Sequence, residues 1–316
     1  MFNQPAVSVI VLIYNVEQHI EKCIESLYNQ SLNSIEYIFI DDCSSDNSIA
    51  LLKKLMDKYP ERASNSIIIA NESNQGQAKS RITGIRNAHG KYVAFCDSDD
   101  YVASNAYHDM YDYIESTKSD IVACNFYRVY NNLQNEELYL GNDTPHEWIK
   151  NILISKKMGA LWCHLIKKTL FADLLCPQGN IMEDTVILTQ CLLKSNKVST
   201  YKKPLYYYYY RPDSITNKND RVLEQAMHMR ANLDIISALL KDYKPTLKKE
   251  IEYKFFFIKR WLFPIIYNAK DCQFWIDFKS GNNIKFLLNS YIGIKDKLSI
   301  ILIYFRLYPS IKLLKK

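Results

Sequence analysis

The sequence predicts a mixed α/β protein: a mainly parallel sheet flanked by helices, followed by a helical C-terminal region. Three observations carry this. Short β-branched runs alternate with amphipathic segments over the first hundred residues, two of those runs end in acidic clusters, and from about residue 220 the pattern turns helical, basic and aromatic. The expected division is 1–219 for the sheet-bearing domain and 220–316 for the helical region. With 316 residues, 48% of them hydrophobic and 23% charged, the chain can bury a sizeable core, which excludes a disordered chain or a mini-protein.

Val7 to Ile13 is a near-continuous apolar run, as in a strand covered on both faces. Glu17 to Asn29 follows as a helix, with Ile20, Ile24 and Leu27 at helical spacing. Glu36 to Ile40 reads as the second strand and Ser48 to Tyr59 as the second helix; Ile67 to Ala70, Gln77 to Ala88 and Tyr92 to Cys96 repeat the theme. Crossovers of this kind put the strand C-termini on one edge of the sheet, where ligands of open α/β sheets bind. Farther on, Ile121 to Tyr130 reads as one or two strands, Asn131 to Pro145 as a polar loop and Thr185 to Lys194 as a helix. Pro204 to Arg211, with five consecutive tyrosines, reads as a strand. Leu223 to Leu240 and Leu247 to Leu262 read as helices, with Pro264 kinking or ending the second.

Charge is distributed unevenly. Residues 241–316 hold 16 Lys and Arg against 6 Asp and Glu, whereas residues 1–240 hold 24 against 28. Such an asymmetry points the C-terminal region at an anionic partner, phospholipid headgroups before nucleic acid. Eight cysteines lie scattered with no CxxC pair, which argues against a zinc site or a disulfide framework and for reduced thiols in a cytoplasmic protein. The apolar run Val7 to Tyr14 has no basic segment before it and no small-residue cleavage site after it, so it does not read as a secretory leader. Leu298 to Phe305 is an apolar run bounded by Lys297 and Arg306, far short of the roughly 20 residues that span a bilayer.

The chemistry-bearing signal is Asp97-Ser98-Asp99-Asp100, directly after the strand Tyr92 to Cys96. Three carboxylates within four residues repel one another, and a shared hard cation, Mg²⁺ or Mn²⁺, relieves that repulsion. The competing reading is a solvated turn or helix cap. A second cluster, Asp41-Asp42 with Asp46, ends another strand; in a parallel sheet both clusters share one edge.

With these residues in place the sequence resembles the glycosyltransferase family 2 enzymes, inverting, nucleotide-sugar-dependent transferases of bacterial polysaccharide type on a GT-A, Rossmann-like fold. The resemblance rests on VSVIVLIYNVEQHIEKCIESLYNQ, IEYIFIDDCSSDNS, NQGQAKSRITGIRNAHGKYVAFCDSDDYV, MEDTVIL and PLYYYYYRPDSIT, in that order from Val7 to about Thr216. It implies that Tyr14 and Asp42 contact the uracil and ribose of a UDP-sugar, that Asn15 supports the first loop, and that Arg81 lies near the base and phosphates. Asp97 would lie on the ribose side, Asp99 with Asp100 would hold the metal on the diphosphate, and Asp184 would be the general base. Arg211 and Ser214 would belong to a loop closing on the diphosphate. Leu12, Cys43 and Ile82 depart from the family pattern, where Pro or Thr, Gly and Asn are common.

The implied reaction is metal-assisted single displacement of a sugar from a UDP-sugar to a hydroxyl of a glycan or lipid-linked saccharide in cell-surface polysaccharide synthesis. Two alternatives stand beside it: a non-catalytic partner of another transferase on the same fold, and a nucleotidyltransferase, which the lack of glycine from Val7 to Val16 disfavours. Trp162, His164 and Tyr206 to Tyr210 read first as packing residues. In the C-terminal region, Phe255 to Tyr267 and Lys297 to Lys316 mix apolar and basic residues as membrane-surface helices do; helices packed on the catalytic domain are the competing reading. A cytoplasmic protein, peripheral on the inner face of the plasma membrane, is the expected location.

Overall fold

The computed structural model describes residues 4–130, 133–137, 144–210, 222–241, 247–261 and 283–305. The first hundred residues fold as β1 (Val7–Ile13), α1 (Ile20–Tyr28), β2 (Ile35–Asp41), α2 (Ser48–Lys58), α3 (Pro60–Ala63), β3 (Ser66–Ala70), α4 (Gln77–Asn87) and β4 (Tyr92–Asp97). β3, β2, β1 and β4 lie side by side and parallel, and Ile13 pairs with Asp41 while Leu12 pairs with Asp97. The two acid-bearing strand ends are therefore level on one edge. β1 carries both neighbours and is buried at all but one position, which is why its sequence is an unbroken apolar run rather than an alternating one.

Helix α1 buries Ile20, Cys23, Ile24, Leu27 and Tyr28, a single stripe at helical spacing. It starts three residues later than the expected Glu17, because the preceding backbone is committed elsewhere. The Val16 N–H donates to Ser48 Oγ at 2.9 Å and the Glu17 N–H to Asp46 Oδ2 at 3.0 Å, tying the loop after β1 to the loop after β2.

The rest of the sheet is mixed. β5 (Tyr101–Val102), β6 (Ile121–Tyr130), β7 (Leu133–Glu137), β8 (His164–Lys167) and β9 (Val198–Tyr209) extend it to the order β3-β2-β1-β4-β8-β6-β9-β5, with β7 on β6. β8 is antiparallel to β4 and β6, whereas β6 and β9 run parallel with an irregularity at Asn125 that accommodates Pro204. Helices α5 (Ala106–Thr117), α6 (Pro145–Leu153) and α7 (Glu183–Lys194) flank the sheet. Two sequence expectations are corrected here. The segment 131–145 is not wholly loop, since Leu133–Glu137 pairs antiparallel with β6, and the last strand begins at Val198 rather than Pro204.

α8 (Val222–Leu239) and α9 (Lys248–Trp261) share the apolar core of the sheet domain through residues such as Ala226, Leu233, Ile236, Phe256 and Ile258. Asn232, fully buried on α8, accepts from the Gln178 N–H at 2.7 Å and donates to the Ile181 carbonyl at 2.9 Å, fixing the chain just ahead of α7. α10 (Asn283–Leu288) and α11 (Ile294–Tyr304) follow. Among the described residues no helix is long and apolar enough to cross a membrane. Pro264 lies outside the described residues.

Helix α4 seats tightly on β1. A Cβ added at Gly84 would lie 2.4 Å from Ile10 Cγ2, and Ile10 is 1% exposed with nowhere to retreat. Gly84→Ala is expected to destabilise the fold by about 1–3 kcal/mol through overpacking, measured by denaturant unfolding; a variant as stable as the wild type would refute the seating of α4 described here.

Candidate active site

The site lies along the C-terminal edge of β1, β2 and β4. After β1, Tyr14 is 49% exposed and Asn15 takes a left-handed φ of 50°, a conformation Asn tolerates better than most residues. Asn15 Oδ1 accepts from the Ser45 N–H at 2.9 Å, so it holds the first loop against the second. Cys43 also takes a left-handed φ, of 65°, a conformation that glycine adopts at least cost.

Asp42 is buried. Its Oδ1 accepts from Asn71 Nδ2 at 2.7 Å and the Gln75 N–H at 2.8 Å, and its Oδ2 accepts from the Gly76 N–H at 2.8 Å. These donors make Asp42 the clasp of the loop leading into α4. Gly76 caps that helix with a φ of 81°, and a Cβ there would run into the Asn180 side chain at 2.5 Å.

The acidic turn after β4 divides into inward and outward residues. Asp97 and Asp99 are half-buried at the rim. Asp100 is 2% exposed; its Oδ2 accepts from the Tyr206 hydroxyl and its Oδ1 from the Tyr209 N–H, each at 2.7 Å. Burial, reinforced by Asp99 and Asp97, pushes its carboxyl well above the usual range. Asp100, expected to share a metal with Asp99, is turned into the protein and ties β9 to the end of β4. Asp99 stays at the rim, and its carboxylate oxygens are donors of the kind Mg²⁺ and Mn²⁺ accept. Among the described residues no group of three or more His, Cys, Asp or Glu could hold a metal ion. Mg²⁺ bound by one or two carboxylates and completed by substrate phosphates needs no such group.

At the centre stands Arg81 on α4, 4% exposed. Its Nε lies 2.5 Å from Asp184 Oδ1, and its Nη2 lies 3.5 Å from Asp97 Oδ1 and 3.7 Å from Glu183 Oε1. Burial opposes the guanidinium charge, but Asp184, Glu183 and Asp97 together more than restore it and hold the group protonated. Glu183 is pushed up to about 7 by burial and then by Asp184, against the pull of Arg81. One arginine thus joins the end of β4 to the start of α7.

Asp184 is held from its other side as well: the Leu161 N–H donates to Oδ2 at 3.2 Å. Gly159 makes this approach possible, since a Cβ there would lie 2.2 Å from Thr185 Oγ1. Met182, immediately ahead of Glu183, takes a left-handed φ of 66°.

The packing expectations hold for the aromatic residues. Trp162 is 6% exposed and stacks on Tyr206 with ring centres 4.4 Å apart. His164 is buried beside Cys163, and burial lowers its imidazole to about 3, which keeps it neutral. The seven described cysteines are free thiols. Arg211 and Ser214 lie outside the described residues. Sequence reasoning found Arg81 but assigned it to the base and phosphates; its pairing with Asp184 was missed, as was the Leu161 amide, which carries no residue-type signal.

Residues 8–171, just over half of the chain, match the model of Glycosyl transferase family 2. The chain is 32% identical over 222 residues to an uncharacterized glycosyltransferase, EpsJ, of Bacillus subtilis, covering 67% of this chain and 63% of that one. The structure is similar to that of S. aureus TarS 1-349 in complex with UDP, with a TM-score of 0.64, 20% identity, and coverage of 98% of this chain and 89% of that one. It is also similar to the mannosyltransferase PcManGT of Pyrobaculum calidifontis in complex with GDP-Man and Mn²⁺, with a TM-score of 0.58, 14% identity, and coverage of 98% and 87%. These two likenesses are of fold, a GT-A arrangement of sheet and helices; the family assignment rests on the sequence match. By that match, the chain belongs to glycosyl transferase family 2.

Proposed function

We propose that the protein is an inverting glycosyltransferase that moves a sugar from a UDP-sugar to a hydroxyl of a glycan or lipid-linked saccharide, in the synthesis of a cell-surface polysaccharide. The observation that carries this is the Arg81 bridge. A single guanidinium touches Asp97, on the donor side of the rim, and Asp184, the candidate base, so the two stand one side chain apart at one edge of the sheet. Donor and acceptor chemistry are thereby within reach of each other.

Each residue then has a task. Tyr14, exposed at the mouth, offers a ring face to the uracil. Asp42 shapes the loop beside it, and Asp97 faces the ribose. Asp184 takes the proton of the acceptor hydroxyl as its oxygen attacks the anomeric carbon; the bond from that carbon to the diphosphate breaks on the opposite face, UDP departs, and the configuration inverts. Arg81 and the Leu161 amide fix the two oxygens of the base so that the orientation is set before the acceptor arrives. Asp99 would hold a divalent cation, which would supply charge neutralisation on the departing diphosphate. Support for a nucleotide-sugar donor and a cation comes from the UDP bound by TarS and the GDP-Man and Mn²⁺ bound by PcManGT.

Incubating the protein with Mn²⁺ and a panel of UDP-sugars, with UDP release followed by mass spectrometry, tests the reading directly; no release from any donor would count against it. Asp184→Asn is expected to leave UDP-sugar binding within a few-fold of wild type by calorimetry while transfer falls at least about a hundredfold. Transfer at the wild-type rate would end the assignment of the base.

Glu183 gives a pH dependence. Its folded-state value of about 7 lies above the ordinary 4.5, so the folded protein keeps a proton that the unfolded chain releases, and stability falls as pH rises through that interval. Glu183→Gln removes this contribution. Thermal unfolding at pH 5 and pH 8 is expected to show a smaller alkaline loss in the variant than in the wild type, and equal losses would contradict it.

A further inference from the structure

The basic, aromatic C-terminal region separates into an inner and an outer part. Part of α9 faces inward: Phe256 is 2% exposed and Lys259 fully buried, while Lys248, Lys249 and Arg260 stay exposed. Lys254 reaches the Ile152 carbonyl at 3.4 Å and Ser155 Oγ at 3.2 Å, and burial lowers it to about 8. In the described part of Phe255 to Tyr267, Phe256, Ile258 and Lys259 are packing residues, whereas Arg260 is exposed.

Helix α11 is different. Ile294, Leu298, Ile301 and Phe305 are 78%, 42%, 37% and 70% exposed, while Ser299 and Ile300 on the opposite side are buried. At about 100° per residue those four fall within an arc of about 60°, a continuous apolar stripe turned away from the protein. Leu288, at the end of α10, adds an 81% exposed side chain next in the chain. Lys295 and Lys297 flank the stripe on its two sides, by the same helical geometry. The acid of this helix, Asp296, turns from the stripe and pairs with Arg260 at 3.3 Å. Neither margin of the stripe carries an acid that could meet these lysines across a contact between two copies. An anionic lipid surface instead complements both the apolar stripe and its cationic margins.

We propose that α11 lies in the plane of an anionic phospholipid membrane, with Ile294, Leu298, Ile301 and Phe305 set into the headgroup boundary and Lys295 and Lys297 against the lipid phosphates. The helix is about 16 Å long, which suits an interfacial position and not a crossing. The surplus of 16 basic over 6 acidic residues in 241–316 acts in the same direction. The proposal does not depend on the reaction proposed at the acidic rim.

Flotation of the full chain with vesicles of phosphatidylcholine mixed with phosphatidylglycerol, against phosphatidylcholine alone, tests the proposal. The wild type is expected to float with the mixed vesicles, with binding lowered about tenfold on the neutral ones and by added salt. L298E/I301E is expected to lose binding at least about tenfold with an unchanged circular-dichroism melt, and K295E/K297E to lose the preference for anionic lipid. As a readout independent of charge reversal, F305W is expected to show quenching by brominated lipid beyond that of the wild type. The proposal is overturned if the wild type does not float with anionic vesicles, if L298E/I301E floats as the wild type does, if F305W is not quenched, or if ultracentrifugation shows a dimer that L298E/I301E dissolves.

Discussion

The arrangement of the rim depends on one buried cation. Arg81 lies almost wholly out of water, with three carboxylates around it, and neither side of that cluster is tolerable alone. A guanidinium stripped of solvent requires acids; three acids drawn together require a guanidinium. Removing one partner of a buried pair costs about 3–5 kcal/mol, because the survivor stays buried and uncompensated. The cluster is thus a weak source of net stability but a strong constraint on geometry. It holds the first residues of α7 against the end of β4, although nearly ninety residues of chain separate them.

Other contacts serve that constraint. Asp42 closes the loop that starts α4 and so fixes where Arg81 begins its reach, while Gly84 lets the helix sit on β1 closely enough for that reach to arrive. On the far side, Asp100 ties β9 to the acidic turn, and Trp162 stacks on the same tyrosine that donates to Asp100. Asp97 and Asp99 are left at the rim because their neighbour has turned in. An acidic run that looks like one site in sequence therefore separates into a structural residue and two outward ones, and the division follows from burial rather than from residue type.

How much of this was legible depended on whether the signal was apolar. β1, β2, β4 and α1 announce themselves by runs and stripes of buried residues, and the parallel pairing that levels Asp41 with the end of β4 follows from their alternation with helices. β7 could not be found this way: Leu-Gln-Asn-Glu-Glu has no alternation, and its pairing with β6 supplies the order instead. α6 did carry a local signal, a Thr144–Glu147 capping box with Pro145 at the first turn, which the polar run around it obscured. Helix α4 was seen as an element, but its buried face includes Ser80, Arg81 and Gly84, so hydrophobic periodicity gave no hint that its arginine points into the protein.

The C-terminal region shows the same ambiguity of composition, resolved in two ways. α9 and α11 both mix large apolar residues with lysines, and their sequences alone suit either packing or a membrane surface. On α9 two lysines are drawn inward: Lys254 finds a carbonyl in the last turn of α6 and a hydroxyl just after it, and Lys259 lies near the Phe286 ring. On α11 the acid is the residue that is paired, and the lysines stay at the edges of an exposed stripe. Burying a lysine requires a ready set of acceptors, which the α6 end provides to α9. The outer face of α11 has water in their place, so its apolar side chains gain only by meeting a surface that also welcomes the cations beside them.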